Sequence, residues 1–306
     1  MDGQPYRHCV LCPRRCGADR TGNARGYCGM GDIPVVNLCR LHLGEEPVIS
    51  GTKGSGTIFF EGCSLGCAFC QNYRISMRPT GKGIVADGDK LSDMMLKLQE
   101  MGAHNINLVT PMHFAPTVRE QIIKAKEREL NVPVALNISG YENVETVRIF
   151  EKVADIFLTD FKFWSDDLAY SVCRVKDYRE KAVSALEAMV SITGAPVKDG
   201  SGLLRSGVIV RHLMLPKHIY DTKHIIDYLV DTYDKDIIIS LMDQYTPTAP
   251  AIDACQKGTL PPEFGERVNK NHYETMCDYL AMTGSGEHFM QEGDASGTDW
   301  IPDFVF

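Results

Sequence analysis

The sequence has no apolar run long enough to cross a membrane. Its longest apolar stretches, such as Ile237-Ile238-Ile239, are far shorter than the roughly 20 residues that a bilayer requires. It also has no excess of basic residues, because 40 Asp and Glu outnumber 32 Lys and Arg. Non-specific nucleic-acid binding usually depends on a basic surface. We therefore expect a protein that binds neither membranes nor nucleic acid.

A secretory signal, with a basic segment followed by an apolar one, is also missing at the start of the sequence, where Cys9, Cys12 and Cys16 occur instead. The chain has 306 residues and 11 cysteines, most of them within the first 70 residues. Secreted disulfide scaffolds are shorter and carry a signal. In a reducing cytoplasm, thiols at short spacings are typical metal ligands. We therefore expect a cytoplasmic, metal-binding protein.

From residue 57 onward, β-branched runs alternate with amphipathic helical segments. Strands are predicted near 57–60, 105–111, 132–137, 154–162, 207–216 and 236–242, with helices between them. Such alternation predicts a parallel sheet covered by helices. About six units predict an α/β fold with a partial (β/α)6 TIM-type barrel. The doubly wound sheet is the alternative, but the Gly-rich phosphate loop usual after its first strand is replaced here by a cysteine-containing loop.

The sequence predicts three regions. Residues 1–50 form a Cys-rich N-terminal segment that is too poor in apolar residues to bury a core of its own. Either a metal holds this segment or it lies over the main domain. Residues 51–246 form the barrel. Residues 247–306 form an irregular C-terminal extension with prolines and one helix near 271–283.

Three cysteines follow the first predicted strand with the spacing C-x3-C-x2-C: Cys63, Cys67 and Cys70. A four-iron cluster needs four ligands, so three cysteines leave one iron open to a substrate or cofactor. Loops at the carboxyl ends of barrel strands usually carry the chemistry. The pattern favours a [4Fe-4S] cluster, and a structural zinc site with a ligand from elsewhere is the alternative.

At these residues the sequence resembles the radical S-adenosylmethionine (SAM) enzymes, whose motif is C-x3-C-x-aromatic-C, with Phe69 at the aromatic position. Further segments resemble the branch related to pyruvate formate-lyase activating enzymes, including a subgroup with four N-terminal cysteines: Gly54–Cys63, Cys70–Asn72, Asp160–Lys162 and Val208–Pro216. The resemblance implies that SAM binds the open iron through its amino and carboxylate groups. It further implies reductive cleavage to a 5′-deoxyadenosyl radical, which abstracts hydrogen from a substrate.

The resemblance and the positions of polar residues at the strand ends together predict a set of residues that bind the cofactor. These are Phe69, Asn72, Thr110, Asn137, Ser139, Asp160, Lys162 and Arg211. The family's Gly-Gly-Glu segment at the end of the second strand is absent, and Thr110 with nearby carbonyls stands in its place. Asp160 and Lys162 are two residues apart in a strand, so they share a face. We expect Lys162 to pair with the SAM carboxylate or with Asp160.

Arg211 and His212 lie in an otherwise apolar strand, and alternation sends them to opposite faces. Arg211 is expected to pair with the SAM carboxylate or to form a structural ion pair across the barrel.

The four N-terminal cysteines, Cys9, Cys12, Cys16 and Cys28, have the spacing C-x2-C-x3-C-x11-C. Four thiolates suit zinc or a second iron–sulfur cluster. Cys39 is an alternative ligand. Cys173 and the two cysteines after it are expected to be isolated thiols.

Three functions remain open after the sequence is examined. The first is an activase that installs a glycyl radical on a partner enzyme, and the second is a radical SAM enzyme acting directly on a peptide or small molecule. The third is a non-catalytic iron–sulfur or zinc-binding protein. Both enzymes imply an electron donor of the flavodoxin or ferredoxin type.

Overall fold

The computed structural model describes residues 4–77, 82–291 and 304. The strands in these residues are β1 (Val35–His42), β2 (Ser55–Phe60), β3 (Ile84–Val85), β4 (Ile106–Val109), β5 (Val134–Ile138), β6 (Ile156–Asp160), β7 (Val197–Lys198), β8 (Leu204–Leu213), β9 (Ile238–Met242) and β10 (His288–Met290). The α-helices are α1 (Gln4–Arg7), α2 (Pro47–Ser50), α3 (Tyr73–Ser76), α4 (Lys90–Glu100), α5 (Ala115–Glu127), α6 (Val144–Arg148), α7 (Asp166–Cys173), α8 (Tyr178–Thr193), α9 (Ile219–Tyr233), α10 (Ala249–Gln256) and α11 (Lys270–Met282).

The main sheet has the strand order β10-β9-β8-β6-β5-β4-β2-β1-β3. The strands from β2 to β10 along this order are parallel, whereas β1 and β3 add antiparallel pairs at one end. The sheet is not closed. This arrangement confirms the predicted α/β fold with a partial TIM-type barrel, because the six predicted strands are the six parallel strands from β2 to β9.

Apolar residues are buried on both faces of the sheet, as expected from the almost continuously apolar sequences of its strands. Helices α4, α5, α8 and α9 bury their apolar sides against its outer face. A second, smaller cluster lies on the inner face, where Ile156, Leu158 and Ile209 pack together. Strands buried on both faces are expected to be almost continuously apolar, which is why their runs were recognisable in the sequence.

A segment before the barrel closes the inner face from below. Val48 and Ile49 of α2 pack in the inner apolar cluster, so residues 44–50 run beneath the barrel interior. Strand β1, directly before this segment, pairs with β2. The sequence analysis missed β1 and α2 because the segment lacks a clear period. The boundary predicted at residue 50 stays a prediction.

The region after residue 246 is more regular than the irregular extension that the sequence predicted. It contains α10 and α11, and β10 pairs in parallel with β9. Residues 292–303 and 305–306, also part of that predicted extension, lie outside the described residues. Over the described part of the chain, no helix combines the length and apolar character required to cross a bilayer.

Candidate functional site

A cavity of about 510 Å³ opens at the carboxyl ends of the parallel strands. Its walls come from residues of several strands of the main sheet, among them Phe59, Val109, Asn137, Asp160 and Arg211. Strand alternation explains this set, since residues two apart along a strand share one face. The same edge of the sheet carries the loop with the three cysteines.

The cysteine loop follows β2, as predicted. Cys67 and Cys70 line the cavity, and Cys63 lies beside them on the same loop. The sulfur of Cys63 accepts a hydrogen bond from the Leu65 amide at 3.4 Å, and that of Cys70 lies 3.2 Å from Ser76 Oγ. These are contacts of neutral thiols. Among the residues that the structure describes, no three His, Cys, Asp or Glu side chains are already converged as a metal site.

The chemistry of this donor set nevertheless fits a metal cluster. Burial and the neighbouring Cys67 raise the pKa of Cys63 to about 12, and burial raises the pKa of Cys70 to about 11. A hydrogen bond with Cys173 and burial also raise the pKa of Cys67 well above its ordinary value. Three thiolates cannot coexist here without compensating positive charge, which a bound metal supplies while it deprotonates the thiols. The sequence analysis expected Cys173 to be an isolated thiol. Its hydrogen bond with Cys67 shows that it is not isolated.

Asp160 and Lys162 form an ion pair at the cavity wall, with 2.5 Å between Lys162 Nζ and Asp160 Oδ2. Both side chains are about one-fifth exposed. Burial lowers the pKa of Lys162, but Asp160 and then Cys67 raise it more, so the pKa lies above its ordinary value. The pair thus places an ammonium group that stays charged next to the cysteine loop.

Arg211 also lines the cavity, but two carboxylates already hold its guanidinium. Its Nε donates to Glu46 Oε1 at 2.8 Å, and its Nη2 donates to Glu45 and to Glu46. Burial raises the pKa of Glu46, but Arg211 and further hydrogen bonds, one of them from Ser240, lower it more, so the pKa lies below its ordinary value. This geometry matches the structural ion pair that was the alternative to SAM binding. Sequence reasoning missed both glutamates because they precede the first predicted strand.

His212 faces the opposite side of β8 from Arg211, as alternation predicts. Its Nδ1 contacts the Phe161 carbonyl oxygen at 2.8 Å, and its Nε2 contacts Thr222 Oγ1 at 2.9 Å. These buried contacts fix the outer packing of β8 and take no part in the cavity.

Three further predicted residues line the cavity: Phe69, Asn72 and Asn137. Phe69 stacks on Phe264 with a centroid distance of 5.8 Å, so the aromatic position of the motif anchors the cysteine loop in an apolar cluster. Asn72 stands at the start of α3. These residues lie where contact with a bound cofactor is possible.

The structure does not bring Thr110 and Ser139 into the cavity lining. Thr110 follows the end of β4 in a left-handed conformation, with a φ of 60°, and its amide donates to the Asn137 carbonyl. Ser139 lies past the end of β5, where its hydroxyl donates to Glu142 Oε1 at 3.0 Å. Burial raises the pKa of Glu142 to about 8.

The four N-terminal cysteines come together, although their sequence separation reaches 19 residues. Cys9 and Cys28 both contribute to the raised pKa of Cys12, after burial. A Cβ built on Gly26 would lie 2.9 Å from the Cys16 sulfur and 3.8 Å from the Cys28 sulfur. Cys39 lies in β1, opposite Ile58 of β2. The structure therefore brings the four predicted thiols into one neighbourhood.

One arginine of this N-terminal segment holds the cysteine loop. Arg14 donates to the carbonyl oxygens of Ser64 and Leu65 at 3.0 and 2.8 Å, and to that of Cys173 at 2.6 Å. Its guanidinium lies 3.9 Å from the centre of the Tyr27 ring. Sequence reasoning missed this residue. Arg14 could have been found from its position between Cys12 and Cys16. A site built from those two cysteines would also hold the backbone of Arg14 in place.

Comparisons with known proteins identify the family of this chain. The family model described as the Radical SAM superfamily matches residues 57–206. An uncharacterized protein of Methanocaldococcus jannaschii, MJ0674, is 30% identical over 251 residues, which is 79% of this chain and 67% of that protein. This match places the two chains in one family.

Two solved structures are similar in fold. The first is a radical SAM methyltransferase from Sphaerobacter thermophilus, with a TM-score of 0.53 and 15% identity over 80% of this chain and 68% of that chain. The second, with a TM-score of 0.49, is Streptococcus suis SuiB bound to S-adenosylmethionine, at 12% identity over 80% of this chain. This chain spans 51% of the length of SuiB.

Replacing Arg14 by Ala removes its donors to the carbonyl oxygens of the cysteine loop. Because hydrogen bonds from a charged group are among the stronger ones, we expect a loss of about 2 kcal/mol in the free energy of unfolding. The looser loop should also lose reconstituted iron faster. Denaturant unfolding and the decay of cluster absorbance measure the two effects.

Arg25→Ala is the matched control, since Arg25 donates only to carbonyl oxygens of its own turn, at Gly22 and Ala24. It should leave both quantities close to those of the parent protein. Equal effects of the two substitutions would show that Arg14 does not brace the loop.

Proposed function

We propose that this chain, which belongs to the radical SAM superfamily, is an activase-like enzyme that abstracts hydrogen from a glycine of a partner enzyme. A [4Fe-4S] cluster in this superfamily supplies the electron that cleaves SAM reductively to a 5′-deoxyadenosyl radical. The residues of this chain bind, orient and shield the reactants.

The observation that carries the proposal is the shared cavity. Two cysteines of the C-x3-C-x2-C motif and the Asp160–Lys162 pair face the same space at the carboxyl ends of the strands. A barrel of this type holds its reactants at that edge. One cavity therefore offers the cluster ligands and a cation for a carboxylate.

Each of these residues has a physical role in the proposal. Cys63, Cys67 and Cys70 hold the cluster and leave one iron open. Lys162 pairs with the carboxylate of SAM, and Asp160 keeps the Lys162 ammonium group in position. Phe69 and Phe264 form an apolar wall that excludes water.

The rim of the cavity supports a macromolecular substrate. Leu43 lines the cavity and yet its side chain is 67% exposed, so an apolar contact is available at the opening. In the proposal, a glycine-bearing loop of the partner enzyme enters the cavity here and contacts Leu43. This feature favours the activase over the other readings of the site.

A radical SAM enzyme that acts directly on a peptide or small molecule is the second candidate. The cavity volume of about 510 Å³ lies within the range of ordinary small-ligand pockets, roughly 300–1,000 Å³. Such a volume suits a compact substrate beside SAM.

Anaerobic reconstitution with iron, sulfide and SAM tests the proposal, with a flavodoxin or ferredoxin as electron donor. Deuterium from an α-deuterated glycyl-radical enzyme should appear in 5′-deoxyadenosine. Transfer only from peptides or small molecules would select the second candidate. Absence of 5′-deoxyadenosine under all conditions would indicate a non-catalytic iron–sulfur or zinc-binding protein.

For the N-terminal segment we propose a separate site with Cys9, Cys12, Cys16 and Cys28 as ligands for zinc or a second iron–sulfur cluster. Their shared neighbourhood supports this site. Metal binding would add folding free energy to a segment that has only a small apolar cluster of its own, formed by Tyr6, Cys9 and Leu11.

Ala substitution of Cys63, Cys67 or Cys70 should abolish the formation of 5′-deoxyadenosine, because two ligands cannot retain the cluster. The product is measured by chromatography after anaerobic turnover. Cys277→Ala in α11 is the control and should keep the parent rate. A triad variant with the parent rate would refute the assignment.

Lys162→Ala should weaken SAM binding by about 5- to 150-fold, the loss of a charge-assisted contact of roughly 1–3 kcal/mol. The cluster absorbance should be unchanged. Equilibrium dialysis with labelled SAM measures the affinity. The control is Lys217→Ala, which removes an exposed ion pair with Glu266. If Lys162→Ala lowers only the melting temperature, the Asp160–Lys162 pair is structural.

A variant with Cys63, Cys67 and Cys70 all replaced by Ala should still contain zinc or iron, because the N-terminal site keeps its ligands. Elemental analysis of the purified protein measures the metal. Further replacement of Cys12 and Cys28 by Ser should remove it. A metal-free triple variant with a fully ordered N-terminal segment would contradict this site.

A further inference from the structure

The cavity contains more negative than positive side chains. The carboxylates of Glu45, Glu46 and Asp160 face the cations of Lys162 and Arg211. Lys162 is paired with Asp160, so Glu45 and Glu46 share one guanidinium. Burial lowers the pKa of the nearby His42, so this ring adds no positive charge at neutral pH.

The shared arginine group is secluded from solvent. The side chains of Glu45, Glu46 and Arg211 are only 9%, 6% and 11% exposed. Two carboxylates in such a place repel each other, and one guanidinium does not balance them. An uncompensated buried charge is costly unless a ligand of opposite charge binds there.

A second observation, on the fully buried residue Asn107 that contacts Glu45, indicates a nitrogen donor. Asn107 Nδ2 donates to Glu45 Oε1 at 2.7 Å, which fixes the orientation of its amide. The Oδ1 atom of the same amide is buried and has no hydrogen-bond partner. Buried acceptors are normally satisfied, so this atom lacks a donor. The excess carboxylate and the unsatisfied oxygen thus call for the same group, a cation that carries N–H donors.

We propose that Glu45, Glu46 and Asn107 form a subsite for an ammonium or guanidinium group of the substrate. The proposal rests on the proposed radical SAM function and names the chemical class of its substrate, a glycine-bearing loop with a basic side chain or, for the second candidate, a peptide or small molecule with a basic nitrogen. An ammonium group has three donors, enough for both carboxylates and for the Asn107 oxygen.

The arginine leaves the carboxylates free to bind more donors. The two Glu45 oxygens accept one hydrogen bond each, from Asn107 and Arg211, and the Glu46 carboxylate accepts two from Arg211 and one from Ser240. A carboxylate accepts about four hydrogen bonds through its two oxygens. The subsite therefore has unused acceptors, and Arg211 holds them in place.

SAM itself is the other source of positive charge. Its sulfonium carries no N–H, so it cannot satisfy Asn107 Oδ1. Its amino group is a metal ligand at the cysteine loop in the proposed function. We therefore assign the subsite to the substrate, and SAM affinity is measured separately to distinguish the two sources.

The test uses three probes of one shape, n-butylammonium, n-butanol and butyrate. Their dissociation constants are measured by ligand-detected NMR on the anaerobically reconstituted holoprotein. We expect n-butylammonium to bind at least about tenfold more tightly than the other two. Equal or tighter binding of n-butanol or butyrate, or no binding of any probe, would overturn the proposal. Preference for butyrate would assign the site to Arg211.

Glu45→Gln and Glu46→Gln sharpen the test, because each removes one charge with little change of shape. Each should weaken n-butylammonium binding by about tenfold and leave SAM affinity unchanged. Glu266→Gln, which removes a carboxylate from the exposed pair with Lys217, is the control and should alter neither. A fall in SAM affinity with unchanged probe binding would give the subsite to SAM and overturn the proposal.

The same preparation separates this proposal from the proposed function. Formation of 5′-deoxyadenosine together with loss of ammonium selectivity refutes the subsite alone. Ammonium selectivity without any cleavage of SAM refutes the radical SAM function and leaves the subsite as a binding site. The probe preference of the parent protein needs no variant, so a misfolded variant cannot obscure the result.

Discussion

The register of the parallel strands is the constraint on which the site depends. Asp160 of β6, Arg211 of β8 and Ser240 of β9 are paired across neighbouring strands in one row. Because alternate residues share a face, this row fixes which side chains enter the cavity and at what level. A slip of one residue in β8 would turn His212 inward and Arg211 outward, and the polar group inside the barrel would be lost.

The barrel was predictable because its strands are apolar on both faces. Runs such as Ile237–Ile239 and Val208–Val210 carry this signal without knowledge of their partners. Strand β1 was missed because it stands at the antiparallel end of the sheet, where polar residues such as Asn37 and Arg40 interrupt the run. Strand β10 is only three residues long, and its existence depends on pairing with β9.

The candidate site also has one part that the sequence predicts and one part that only the fold reveals. The C-x3-C-x2-C motif is local, so spacing alone placed the three cysteines on one loop. Arg14, Glu45 and Glu46 act on residues that are far away in sequence, such as Arg211 for the two glutamates and Cys173 for Arg14. No local pattern encodes such contacts. A charged residue in a segment without periodicity becomes informative only when the fold supplies its partner.

The N-terminal residues consequently build two opposite sides of the cavity. Arg14 holds the cysteine loop at the opening, and Glu45 and Glu46 approach Arg211 from the segment beneath the barrel. Buried Arg20 connects the N-terminal cysteine segment to the barrel. It donates to the His113 carbonyl oxygen and contacts the Cys9 sulfur. Arg14 thus connects the four-cysteine neighbourhood to the cysteine loop through hydrogen bonds to main-chain oxygens. This connection makes the N-terminal segment part of the candidate site, because its residues contact both the cysteine loop and the cavity wall.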